Sequence, residues 1–326
     1  MNARLWLALK IAISATLLAI ILFGLGTARD VGSVLAAAIP SYVALAFAVF
    51  ALDRFLMTYK WLLLLASRGL RLPLLRGVEI YCSAMVWGLF LPATVGADAI
   101  RGYMTAREGL DGYEVFASIT IERLVGFVAS LLFGLAGFLI LSAAGAADER
   151  LSAVWWLGGL ATFGAVLAFV ASFNERLFGA ALALVPRAWR ESRIVQRLRH
   201  FHGVYRGYGR NRAAIVAFFV LTIIEQCFVV LATWVTALAL SIDVSLLLMA
   251  GAVPLSMLVS RLPVSIDGLG VYEGVMVLTL SLAGVSAAEG VALALAYRGL
   301  QVLLWLPWWL AYTLQTGTIR PPKPTA

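Results

Sequence analysis

Leu91-Pro92-Ala93-Thr94-Val95-Gly96 is echoed by Leu262-Pro263-Val264-Ser265-Ile266-Asp267-Gly268. Each stretch ends an apolar run, and glycines and acids follow each. A helix broken inside a bilayer leaves N–H and C=O groups unpaired. Those groups are tolerated only where protein buries them or a wet cavity solvates them. Pro/Gly breaks at matching places in two halves of a membrane chain are therefore a pointer to a binding site.

The composition is that of a membrane protein. Hydrophobic residues make up 62% of the 326 residues and charged residues 13%, with a mean hydropathy of +0.95. Soluble domains carry roughly 25% charged residues. Cys82 and Cys227 lie in apolar segments, suggest no disulfide framework, and read as small buried hydrophobes. Of the 25 basic residues only Lys10, Lys60 and Lys323 are lysine, a bias that points to a GC-rich bacterial genome.

Apolar runs cover about 5–25, 43–66, 115–143, 154–173, 213–240 and 290–316. The first has Arg4 and Lys10 in place for a signal peptide. It is long, however, and no small-residue cleavage site stands out before Arg29-Asp30, so it reads as an uncleaved span. The shorter runs 77–91, 246–261 and 271–284 fall below the roughly 20 residues that cross the hydrocarbon. Charge orients the set. Loop 67–76 carries Arg68, Arg71 and Arg76, and segment 174–212 holds nine arginines against two glutamates, net +7. The opposite loops net zero (26–40) and −1 (144–153). The positive-inside rule then places both termini in the cytoplasm if 77–110 and 246–284 each enter and leave on one side. The expected fold is all-α: six full spans plus two re-entrant helical hairpins of opposite direction, an inverted-topology repeat in a single transmembrane domain, 1–326. Repeat one covers about 41–143 and repeat two about 213–316. The short Pro-rich tail is expected to be disordered.

The repeat extends beyond the breaks. Asp53 lies 39 residues before Pro92, and Glu225 lies 38 before Pro263. Arg123 lies 31 residues after Pro92, and Arg298 lies 35 after Pro263. Each half thus reads as a span with an acid, a broken hairpin, and a span with an arginine. An ionisable group deep in a bilayer costs about 2.5–3.5 kcal/mol on insertion scales, so such groups are paired, solvated or functional. Two readings stand side by side. One is intramembrane salt bridging, for example Glu122 or Glu225 with Arg298. The other is a polar cavity at the hairpin tips, formed by Pro92, Gly96, Asp98, Arg101, Glu122, Arg123, Glu225, Pro263, Asp267, Gly268, Gly270, Glu273, Tyr297 and Arg298. Half-helix ends bind ions through their dipoles, and arginine suits bidentate phosphate contact. Asp53 and Arg54 are adjacent and should face apart on a helix, so they are not expected to pair simply with each other.

Segment 187–212 interleaves eight arginines with aromatic and aliphatic residues. Ile194, Leu198, Phe201 and Tyr205 recur at helical spacing, which makes an amphipathic helix on anionic cytoplasmic lipid rather than a nucleic-acid site. His200 and His202 are two apart and read as no metal site. No phosphate-binding loop, Cys/His cluster or hydrolytic triad around Ser260 or Ser265 is present, so no cofactor is expected. Gly268-Leu269-Gly270 is a backbone break and not a dinucleotide loop.

Four elements in order resemble the lysylphosphatidylglycerol synthase transmembrane region family of flippase-like proteins. They are 91–101 (Leu-Pro-Ala-Thr-Val-Gly-Ala-Asp-Ala-Ile-Arg), Glu122-Arg123 followed by Gly126, 262–273 (Leu-Pro-Val-Ser-Ile-Asp-Gly-Leu-Gly-Val-Tyr-Glu), and Tyr297-Arg298. Gly96-Ala97-Asp98 stands where the family usually has a glycine–acid pair, so the acid is kept. Ile266-Asp267-Gly268 departs from a usual Pro-Gly-Gly. The resemblance implies lipid handling: flipping aminoacylated phosphatidylglycerol, or a place in lipid-linked sugar or hopanoid pathways. The synthase version carries an extra soluble catalytic domain. At 326 residues this chain is expected to have no room for one, and aminoacyl transfer would fall to another protein. The leading expectation is a flippase for an anionic phosphate-bearing lipid in the bacterial inner membrane. Its rival is an enzyme, or a membrane subunit partnering a lipid or glycan synthase.

Overall fold

The computed structural model describes residues 28–89, 95–143, 152–261 and 268–316, with Thr16 besides. The first apolar run, Pro92, Pro263, Asp267 and the Pro-rich tail lie outside the described residues. Every regular element among the described residues is an α-helix. In chain order these are α1 (Ala28–Ala36), α2 (Pro40–Ala66), α3 (Leu74–Gly88), α4 (Val95–Arg107), α5 (Gly112–Ala143), α6 (Ser152–Ser172) and α7 (Glu175–Ala183). There follow α8 (Arg187–Arg190), α9 (Arg193–Gly209), α10 (Arg212–Ala239), α11 (Leu246–Ser260), α12 (Val271–Ser281) and α13 (Ala287–Thr316). Four of them, α2, α5, α10 and α13, are long and apolar enough to cross a membrane. The bent pair α6–α7 makes a fifth if it is counted as one span.

Local chemistry sets the ends. Pro40 begins α2, where a missing N–H costs nothing. Asn174, Ser192, Asn211 and Ser245 accept backbone N–H bonds at the starts of α7, α9, α10 and α11. At Phe173–Asn174 the chain turns by 91°, so α7 runs across the axis of α6. The basic segment is helical in two pieces: Glu191 ends α8, and Ser192 caps α9. Tyr205 and Tyr208 of α9 are buried against Leu64, Ala117, Ile121 and Phe218 of the long helices. Trp189, Ile194 and Leu198 stay exposed. Cys82 is buried as expected, whereas Cys227 faces outward from α10, and both thiols are free.

Packing follows a reciprocal pattern. α2 lies along α10. α3 packs on α13, and α11 packs on α5. α3 pairs with α4 as α11 pairs with α12. Each short pair therefore rests on the closing long helix of the other half. Small residues let α5 and α11 approach closely. A Cβ at Gly137 would lie 2.6 Å from the Gly251 carbonyl oxygen, and one at Gly134 would lie 2.4 Å from a Leu258 methyl. The largest apolar cluster runs through α1, α2, α3, α10, α11, α12 and α13. The outer face of α6 stays uncovered, with Trp156 83% and Leu160 68% exposed, as a lipid-facing helix should be.

Candidate functional site

The short helices α4 and α12 each carry an acid in the first turn, where the helix dipole favours negative charge. In α12 the acid is Glu273. It is fully buried, and its Oε2 accepts the Gly270 N–H at 2.7 Å. Gly270 has φ +81° and Gly268 φ +68°, left-handed values that glycine adopts freely. Glu273 Oε1 accepts from Arg298 Nε at 2.5 Å, and the Arg298 guanidinium lies 5.6 Å from the Tyr272 ring centre. In α4 the acid is Asp98. Its Oδ2 accepts from Arg123 Nε at 2.5 Å, and its Oδ1 accepts from Arg101 at 3.3 Å.

The two pairs, Asp98–Arg123 and Glu273–Arg298, each span 25 residues. That equality places acid against acid and arginine against arginine in the two halves. Counting from the prolines had left the arginines four residues out of step, because the second half has four more residues between proline and acid.

Beside Asp98 lies a second buried layer. Arg101 has no solvent exposure. Its guanidinium sits 4.8 Å from the Trp61 ring centre and 4.5 Å from that of Tyr81. It donates to Glu122 Oε1 at 3.1 Å, and its other terminal nitrogen lies 2.9 Å from Oε2. Tyr81 also donates to Glu122, at 3.2 Å. Two aromatic faces and two carboxylates thus surround a buried cation, although its Nε has no hydrogen-bond partner among the described residues. The offset of 175 residues that carries Asp98 to Glu273 carries Arg101 to Met276, a buried apolar residue, so this layer has no counterpart beside Glu273.

Between the halves, α2 faces α10. Lys60 is buried and donates to Glu225 Oε2 and to Thr222, both at 3.1 Å. Its ammonium also lies 5.1 Å from the Phe218 ring centre. Asp53, fully buried, accepts from Arg54 Nε at 2.9 Å and from its terminal nitrogen at 2.5 Å. The adjacent pair thus does bond, contrary to the expectation from helix geometry. The Cβ atoms diverge, but the arginine side chain is long enough to fold back over one residue. Asp53 Oδ1 has no hydrogen-bond partner among the described residues.

These groups form one electrostatic system. Asp53 interacts with Glu225 and Lys60, and Arg54 with Tyr81 and Glu225. Tyr297, stacked on Tyr272 at 5.3 Å, is in range of Arg54, Asp53 and Arg298. Glu122 and Glu225 are therefore bonded to Arg101 and Lys60, and neither is the partner of Arg298. Gly96 and Gly268 lie at the described ends of the two breaks.

One residue the sequence reading passed over joins them. Arg261 follows the last turn of α11 and is exposed. It is in electrostatic range of Arg123, Glu225 and Tyr81, yet no carboxylate among the described residues lies within ion-pair distance. Its position immediately before Leu262-Pro263 was the available signal: a cation at a break needs a reason. Arg123, with 47% of its side chain exposed, likewise turns part of its guanidinium away from Asp98. Among the described residues, the cations Arg54, Lys60, Arg101, Arg123, Arg261 and Arg298 face the acids Asp53, Asp98, Glu122, Glu225 and Glu273, so one positive charge is left over.

The family model for the lysylphosphatidylglycerol synthase TM region matches residues 7–308. The chain belongs to that family. The match takes in every charged group just described, from Asp53 to Arg298. It fixes a multi-pass membrane protein with a lipid-related function. A search among curated proteins finds no match to the chain.

Proposed function

We propose that this family member is a flippase for an anionic, phosphate-bearing lipid, either a phospholipid or a lipid-linked sugar or polyprenyl phosphate. The observation that carries the reading is Arg261, a cation with no carboxylate at ion-pair distance among the described residues, in electrostatic range of the half-exposed Arg123. A bilayer does not tolerate an unneutralised arginine cheaply, and a phosphodiester supplies the missing charge and two acceptor oxygens. Acyl or prenyl chains would stay in the bilayer while the headgroup occupies the polar interior.

In this reading α3–α4 and α11–α12 are re-entrant hairpins of an inverted repeat, with Pro92, Pro263 and Asp267 at their tips. The reciprocal packing and the equal 25-residue ion pairs support it. Gly96, Asp98, Arg101, Glu122, Arg123, Glu225, Gly268, Gly270, Glu273, Tyr297 and Arg298 would line or brace the headgroup path. The protein would sit in the bacterial inner membrane with six spans and both termini cytoplasmic. The chain carries no nucleotide-binding loop, so movement would be passive or driven by an ion gradient. Single cysteines replacing Arg107 and Ala287 should then label from the cytoplasm and from the outside respectively; labelling of both from one side refutes the inverted repeat.

The functional test is reconstitution into liposomes with headgroup-labelled lipids. Phosphatidylglycerol or a polyprenyl phosphate should cross faster than a neutral lipid without phosphate, and Arg261→Ala should remove the difference. Equal rates for all lipids, unchanged by Arg261→Ala, would rule the proposal out.

A further inference from the structure

Outside this interior site, the 91° turn between α6 and α7 creates a second feature. If α6 stands across the bilayer, α7 lies along its surface, and α9 runs beside it. Two cavities open there. One, of about 420 Å³, is apolar and lies between the long helices and α9, with Leu124, Leu177, Leu198 and Phe201 on its walls. The other, of about 390 Å³, is basic and is lined by Arg190, Arg199 and Arg206 with Glu175. Phe178 and His202 line both, so the cavities adjoin. These two rings stack at 3.7 Å, and His202 Nε2 lies 3.0 Å from the Ser172 carbonyl oxygen, which fixes the partition between them.

The arginines are not equivalent. Arg190 donates to the Ala183 and Val185 carbonyl oxygens and holds the end of α7. Arg206 pairs with Glu175 at 2.6 Å and donates to the Phe173 carbonyl oxygen. Arg199 makes no ion pair among the described residues and faces the basic cavity. The basic cavity therefore carries an excess of two positive charges over Glu175, directly against an apolar slot.

We propose that this pair of cavities is a peripheral binding site for one molecule of an anionic phospholipid, with the phosphate on Arg199 and Arg206 and an acyl chain in the apolar slot. The order of chemistry along the site, apolar wall, aromatic partition, then arginines, matches the order of chemistry along a phospholipid. A soluble anion would be served by the basic cavity alone. A zwitterionic lipid would fit the slot but bring a cation against the arginines.

The site has a built-in test. Gly203 lines the basic cavity, and a Cβ added there meets nothing within 4 Å, so a side chain grows into the cavity and not into protein. In a helix the change from glycine also lowers backbone entropy in the unfolded chain. The experiment uses the full chain in detergent carrying Arg261→Ala, which disables the interior site and leaves this one intact. Melting temperature is followed on titration with phosphatidylglycerol, phosphatidylcholine or inorganic phosphate. Phosphatidylglycerol alone should raise it. Gly203→Phe should abolish the shift, and the exposed Arg199→Gln should weaken apparent affinity about tenfold, the worth of one charge-assisted hydrogen bond. A shift undiminished by both substitutions overturns the proposal. So does an equal response to phosphatidylcholine, which would deny the role of charge, or to inorganic phosphate, which would deny the lipid.

Discussion

Replacing Arg101 with methionine tests how the buried charges are held. Arg101 is wholly buried, touches two aromatic faces and faces Asp98 and Glu122. Its loss leaves Asp98 with Arg123, but leaves Glu122 with only the Tyr81 hydroxyl. A buried charge deprived of its partner costs about 3–5 kcal/mol. Methionine refills most of the volume, and the corresponding position of the other half is Met276, so packing should add little to that figure. Adding Glu122→Gln removes the stranded charge, and the double variant should regain all but about 1 kcal/mol, the scale of one neutral hydrogen bond. Reversible unfolding in mixed micelles, read by tryptophan fluorescence, measures all three proteins. The reasoning fails if Arg101→Met is as stable as the parent. It fails equally if the double variant is no better than the single one, because the loss would then lie in packing and not in an orphaned carboxylate.

Arg123→Ala and Arg298→Ala should both abolish lipid transport but differ in stability. Asp98 keeps Arg101, whereas the fully buried Glu273 loses a close cation, so Arg298→Ala should have the lower melting temperature in detergent. Gly137→Val should separate α5 from α11 and destabilise the protein by at least about 1–3 kcal/mol, the usual cost of overpacking, measured by the same unfolding assay. Tyr208, on the surface helix α9, donates to the Glu114 carbonyl oxygen at 3.0 Å, and burial raises its pKa. The folded state therefore holds the phenol proton longer than the unfolded chain does. This contribution is complete below about pH 10, the ordinary tyrosine value, and fades as pH rises above it. Tyr208→Phe should flatten that alkaline decline in a pH series of melting temperatures.

The buried charges were legible because a bilayer makes charges conspicuous: Asp98, Arg123, Glu225, Glu273 and Arg298 stood out against apolar runs, and the structure pairs Asp98 with Arg123, Glu273 with Arg298 and Glu225 with Lys60. What was hidden depended on side-chain reach and on distance along the chain. Helix geometry sets the direction of Cβ, which is why Asp53 and Arg54 were expected to part. It does not limit where a flexible guanidinium ends. Lys60 was visible as a charge within a span, but its partner lies 165 residues away. The turn at Phe173–Asn174 was concealed because α7 is short and lies in a segment dominated by arginines. Its cap, Asn174, was the one local sign.

The crossed packing has a consequence for synthesis. The α3–α4 pair leaves the ribosome more than two hundred residues before α13, the helix on which α3 rests. At ordinary elongation rates that interval is roughly 10–40 s. During it, the fully buried Arg101 cluster must be sheltered without the closing helix of the other half. A truncated chain ending before α13 would retain every group of the first ion-pair cluster and still lack the surface that seats it. Until α13 arrives, the face of α3 that packs on it is open to lipid or to whatever else the membrane offers.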